Sequence, residues 1–147
     1  MYKRQRLPEL EKAALELETA VGPVEIVFGH NDLLPANFID DGDRIWLIDF
    51  DYAGFNSPLF DLSNLASNNE LDAAQELLML QQYFDTEPDP AKLASYHAMK
   101  CASLLRETMW SMVSELHSKI EMDFADYTAK NLTRFESVYA EYKNNHH

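Results

Sequence analysis

Three oxygen-bearing side chains stand at a spacing suited to chemistry on a phosphate. Asp32 and Asn37 lie in Phe28-Gly29-His30-Asn31-Asp32-Leu33-Leu34-Pro35-Ala36-Asn37, which fits H-x-D-x-x-x-x-N with no gap. Asp49 follows twelve residues after Asn37, at the end of the apolar run Trp46-Leu47-Ile48. Phosphoryl transfer to an alcohol needs a base beside the hydroxyl and hard oxygen ligands for magnesium, which neutralises charge on the moving phosphate. Asp32 can serve as the base, and Asn37 and Asp49 as the ligands.

Each residue alone also fits a plainer role. Asp, Asn and Pro are the usual residues of turns, and Asp49 and Asp51 can be solvated carboxylates at a strand end. The joint pattern, in register with a hairpin, favours chemistry. His30 is assigned a structural role in the loop, because an imidazole there more often holds a hydrogen bond than acts as a base. The spacing of His30, Asp32 and Asn37 is that of the protein-kinase catalytic loop.

The elements that must position these groups are short. Glu25 to Phe28 is apolar and β-branched and predicts a strand. Asn37 to Ile39 and Arg44 to Ile48 predict a hairpin closed by Asp40-Asp41-Gly42-Asp43, which returns the chain so that Asn37 and Asp49 meet. Strand character ends by residue 52. Before it, residues 8–20 predict a helix, with Pro8 in the first turn and Gly22-Pro23 as the stop. After it, apolar residues recur at helical spacing over Leu59 to Ser67, Glu70 to Phe84, Pro90 to Leu116 and Asp123 to Tyr142. Leu104, Leu105, Met109, Met112, Val113 and Leu116 are expected in the core, and Asn144 to His147 as a frayed end. The fold class is mainly α with a small β-hairpin, an α+β arrangement.

The motifs extend further than the loop. Ile48-Asp49-Phe50-Asp51-Tyr52, then Asn56, Phe60-Asp61-Leu62 and Asn64 resemble, in order and spacing, the choline and ethanolamine kinases, a branch of the aminoglycoside-phosphotransferase-like kinases. The resemblance is strong over residues 28–70 and only helical in character beyond. It implies Asp32 as catalytic base, Asn37 and Asp49 as Mg2+ ligands, ATP as co-substrate, and Asp51 and Tyr52 beside an amino-alcohol pocket. Asp51 stands where many members carry Glu, which keeps the charge and shortens the reach by one methylene. Ring faces recognise a quaternary ammonium, each contributing about 0.5–2 kcal/mol. By the same resemblance, Trp110 and Tyr127 are the helical residues placed at that headgroup, although aromatics at helical spacing also fill cores.

The family has two lobes, and its smaller lobe brings a glycine loop and a strand lysine to the nucleotide. Upstream of His30 there is one helix and one strand, and neither Lys3 nor Lys12 lies on a strand. Residues 1–147 are therefore expected to form a single C-terminal lobe: the helix at 8–20, the catalytic loop and hairpin at 25–52, and a helical subdomain at 59–143. The N-terminal nucleotide-binding lobe is expected to be absent and the isolated chain inactive. That lobe, or a second copy meeting the uncovered face, is an expected partner, beside choline, ethanolamine or a similar small cationic alcohol. A kinase of an aminoglycoside or sugar, and a non-catalytic binding or assembly module, are the alternatives.

Composition narrows the classes further. At 147 residues the chain suits one domain, and its four glycines make no phosphate-cradling loop. Twelve basic against twenty-five acidic residues give a net charge of −13, which disfavours nucleic acid and anionic membranes. Cys101 is the only cysteine, no apolar run is long enough to span a bilayer, and no signal-peptide core is present, so a cytoplasmic setting is expected.

Overall fold

A computed structural model describes residues 2–146. Among the described residues five α-helices, one 3-10 helix and four short strands run in the order α1 (Tyr2–Val21), β1 (Val27–Gly29), the 3-10 helix (Pro35–Asn37), β2 (Phe38–Asp40), β3 (Ile45–Leu47), β4 (Gly54–Asn56), α2 (Pro58–Asn68), α3 (Ala73–Phe84), α4 (Pro90–His117) and α5 (Phe124–His146). The mainly helical fold with small antiparallel sheets is the one expected. β2 and β3 form the hairpin, with Phe38 opposite Leu47 and Asp40 opposite Ile45. β1 pairs with β4 instead, Gly29 facing Gly54 and Val27 facing Asn56. β4 lies beyond residue 52, where no strand was expected. Three residues, two of them Gly and Asn, carry little strand propensity, and it is pairing with β1 that holds them extended.

Local chemistry explains most helix ends. The Ser57 hydroxyl accepts from the Leu59 N–H at 3.2 Å, with Pro58 in the first turn of α2. Asp72 and Gln75 form a reciprocal capping box on α3. That cap starts α3 at Ala73 rather than Glu70, which lies in the left-handed region at φ 54°. Asp89 caps α4 through the Lys92 N–H, and Asp123 caps α5 through the Asp126 N–H. α1 departs further from expectation, since it begins at Tyr2 and carries Pro8 inside. Proline there removes one helical hydrogen bond. Arg6, just before the proline, binds Glu9 and reaches across to Glu136 of α5. α5 likewise continues to His146 where fraying was expected; His147 lies outside the described residues.

The chain divides into two compact units. The helical unit comprises residues 2–22 and 97–146, and its core joins Leu10, Ala13 and Leu17 of α1 to Ala98, Cys101, Leu104 and Leu105 of α4 and Phe135 of α5. Met109, Val113 and Leu116, expected in that core, are exposed. Past Leu105 the buried stripe of α4 passes through Thr108 and Ser111, whose hydroxyls bond back to the carbonyls of Leu104 and Thr108. Met109, Val113 and Leu116 fall on the other faces of those turns. The second unit, Pro23–Tyr96, contains all four strands and packs Leu62, Ala66, Leu80 and Tyr96 together. No described helix is long and apolar enough to cross a membrane.

Candidate active site

The first residues of the loop between β1 and the hairpin are fixed by hydrogen bonds from side chains distant in sequence, and its last three, Pro35–Asn37, form a short 3-10 helix. Asp61, in the first turn of α2, accepts the N–H groups of His30 and Asn31 at 2.7 Å each, one on each carboxylate oxygen. Gly29 makes room for that carboxylate, because a Cβ at this position would stand 2.7 Å from Asp61 Oδ2. Asn64, one helical turn further on, accepts the Leu33 N–H at 2.5 Å. Asn69 donates to the Leu33 carbonyl at 3.3 Å. The side chain of Asn31 donates to the carbonyls of Tyr52 and Gly54 and accepts from Asn56 Nδ2 at 2.9 Å. One end of α2 and one short strand thus hold residues 29–33 from two sides.

Within that frame the three oxygen-bearing residues are linked through backbone. Asn37 is 6% exposed, and its Nδ2 donates to the Asp32 carbonyl at 2.8 Å. Its own carbonyl accepts the Ile48 N–H at 3.0 Å, one step beyond the Phe38–Leu47 pair of the hairpin. His30, 4% exposed, donates from Nε2 to the Ile48 carbonyl at 2.9 Å and packs edge-on against Phe50. The other ring nitrogen, Nδ1, is buried and without a hydrogen-bond partner. Both peptide groups of Ile48 are therefore committed, one to Asn37 and one to His30. The next residue, Asp49, takes φ 62°, a left-handed conformation that costs a non-glycine residue about 1–2 kcal/mol. Anchored immediately before that bend, the carboxylate of Asp49 leaves the hairpin at a fixed point.

Asp51 and Tyr52 occupy the turn that follows, closed by the Ala53 N–H on the Phe50 carbonyl at 2.9 Å, and both are exposed. With the amide nitrogen of Asn37 engaged, its oxygen is the group left to ligate a cation, alongside the Asp49 carboxylate. Both are hard donors of the kind magnesium takes. Among the described residues no three His, Cys, Asp or Glu side chains gather as a metal cage. The donor set fits an ion that takes one or two protein oxygens and completes its shell with water and phosphate.

Trp110 and Tyr127 belong to the helical unit. Trp110 lies edge-on to Phe124 with ring centroids 6.1 Å apart, and the Tyr127 hydroxyl donates to Glu107 at 2.8 Å. Glu107 and Trp110 are one turn apart on α4, as are Phe124 and Tyr127 on α5, so both aromatics lie on one α4–α5 seam. Burial, and then the Glu107 carboxylate, push the Tyr127 phenol above its ordinary range. Arg106 also pairs with Glu107, at 3.6 Å. Sequence reasoning missed the clamping roles of Asp61, Asn64 and Asn31. The first two were visible as motif residues, but their partners lie about thirty positions earlier in the chain.

Comparison with known proteins falls on the same segment. The sequence pattern of the choline/ethanolamine kinase family matches residues 3–83. A probable ethanolamine kinase of Arabidopsis thaliana is 29% identical over 148 aligned residues, covering 86% of this chain and 40% of its own length. A choline/ethanolamine kinase family protein from Mesorhizobium loti superposes with a TM-score of 0.81 at 27% identity, over 90% of this chain and 46% of its own. Choline kinase LicA of Streptococcus pneumoniae gives 0.72 at 28%, over 92% and 48%. The chain spans less than half the length of these relatives.

Proposed function

The chain belongs to the choline/ethanolamine kinase family, and from that premise we propose that it supplies the phosphoacceptor half of an ATP-dependent kinase acting on a small amino alcohol. The observation that carries this is the closed set of bonds from Asp32 through Asn37 and Ile48 to His30. It ties a candidate base to two candidate metal ligands through backbone contacts.

In the proposed reaction the Asp32 carboxylate accepts the proton of the alcohol hydroxyl as its oxygen forms a bond to the γ-phosphorus, and the bond to the β,γ-bridging oxygen breaks. Asn37 and Asp49 would hold Mg2+, which when bound offsets the negative charge of the phosphates. His30 is a positioning residue, acting on Asp49 through the Ile48 carbonyl. Asp51 and Tyr52 are assigned to the cationic headgroup, where a carboxylate and a ring face are the complementary groups; within the helical unit, Trp110 and Tyr127 are the aromatic candidates for the same chemistry. The phosphate-clamping lysine is assigned to a nucleotide-binding lobe other than these 147 residues, so the chain by itself is expected to be inactive.

The test joins this chain to the nucleotide-binding half of a solved relative and offers choline, ethanolamine, an aminoglycoside and a sugar with ATP and Mg2+. Phosphorylation confined to the amino alcohols is the expected result. A preference for the aminoglycoside or the sugar would overturn the substrate class, and binding of choline with no transfer to any acceptor would favour a non-catalytic module.

A further inference from the structure

One pair of side chains in the helical unit has no part in the proposed reaction. His97 of α4 and His146 in the last turn of α5 face each other, with His97 Nδ1 3.3 Å from His146 Nε2. Their spacing is set by helix packing. Ala98 and Cys101, beside His97 on α4, are fully buried, and Tyr139 and Tyr142 of α5 pack against the same core. The His146 ring is further held against Tyr142, with centroids 4.8 Å apart.

A shared proton accounts for two imidazole nitrogens at this distance, and so does a metal ion. Bonds of about 2.0–2.1 Å at a tetrahedral zinc put two ligand nitrogens about 3.3 Å apart. The end of α5 offers a cation negative charge alongside Lys143, one turn before His146. The last carbonyls of α5 lack helical partners and carry the negative end of its dipole, and the chain as a whole has a charge of −13. Imidazole suits zinc, copper and nickel, whereas magnesium prefers oxygen. A metal here would not compete with the oxygen donors of the catalytic loop.

We propose that His97 and His146 form a two-imidazole site for a late first-row divalent ion, with water in the remaining positions, which staples the last turn of α5 to α4. Each ring gives the lone pair of its facing nitrogen and keeps its proton on the other. The site is independent of the phosphotransfer reading, because it uses none of the same residues.

The probe is Zn2+ added to the intact chain, followed by calorimetry and by thermal unfolding. Saturable binding of one ion per chain is expected, with a rise in unfolding temperature that grows with free zinc. Both effects should vanish in His97→Gln and in His146→Gln, persist in His117→Gln and His147→Gln, and be absent with Mg2+. Because His146 lies at an exposed helix end, His146→Gln should fold normally even if His97→Gln does not. Undiminished zinc binding by His146→Gln, or no saturable binding by the parent chain, would overturn the site.

Discussion

Gly29 and Asp61 act as one device at the residue scale. The missing Cβ of Gly29 is what lets the Asp61 carboxylate reach two backbone N–H groups, and hydrogen bonds to a charged partner contribute about 1.5–3 kcal/mol each. Gly29→Ala should therefore destabilise the chain by about 2–4 kcal/mol, allowing for partial rescue by water. Asp61→Ala should cost a similar amount. Urea unfolding of the double variant should show a loss well short of the sum, because both changes break the same contacts; full additivity would mean that the two do not act together. The sequence carried the local part of this site, since His30, Asp32 and Asn37 keep their meaning at fixed spacing. It did not carry the clamp, which depends on a residue 31 positions from the N–H it accepts, nor the left-handed turn at Asp49, which backbone anchoring on Ile48 imposes.

At the scale of elements, periodicity and caps placed four helices and the hairpin to within a few residues, because apolar spacing and Asp or Ser caps are local properties. The extension of α1 through Pro8 and the strand β4 escaped notice because each meets a distant partner, Glu136 in one case and β1 in the other. The α3–α4 contact has a similar origin, where the buried Tyr96 donates to Glu76 at 2.8 Å. Burial, and then the Glu76 carboxylate, hold the Tyr96 phenol well above its ordinary range. Burial also pushes the Cys101 thiol up to about 12. Groups kept neutral in the folded state stabilise it fully below their unfolded values, about 8.5 for Cys and 10 for Tyr. That contribution is lost as pH rises through the folded values. Unfolding free energy should therefore decline from about pH 8.5 upward and more steeply above about pH 10. In Tyr96→Phe the decline above pH 10 should be shallower, as denaturant titrations at stepped pH would register; an unchanged slope would remove Tyr96 from the account.

The whole molecule exposes more apolar surface around the catalytic loop than isolated side chains would. Phe28 and Phe55 pair edge-on across β1 and β4, 64% and 81% exposed, and Ile26, Ile45, Trp46 and Phe50 are exposed in the same unit. Exposed apolar groups of this density mark surfaces that meet another protein. We propose that the exposed Phe28–Phe55 pair meets the nucleotide-binding lobe or, where that is lacking, a second copy. Sedimentation of the isolated chain should show concentration-dependent association that Phe55→Lys weakens, and a strictly monomeric chain would contradict the assignment.

Asp32, the proposed base, is the residue on which the reading of this chain as the acceptor half of a kinase stands or falls. The most direct measurement is the rate of phosphate transfer from ATP to choline or ethanolamine by the chain joined to the nucleotide-binding half of choline kinase LicA, compared with the same protein carrying Asp32→Asn. Mg2+-dependent transfer that falls by about 10²–10⁴-fold in the variant, at an unchanged unfolding temperature, is the predicted result. Transfer undiminished by Asp32→Asn, or a folded, ATP-binding hybrid that phosphorylates neither alcohol, would contradict it.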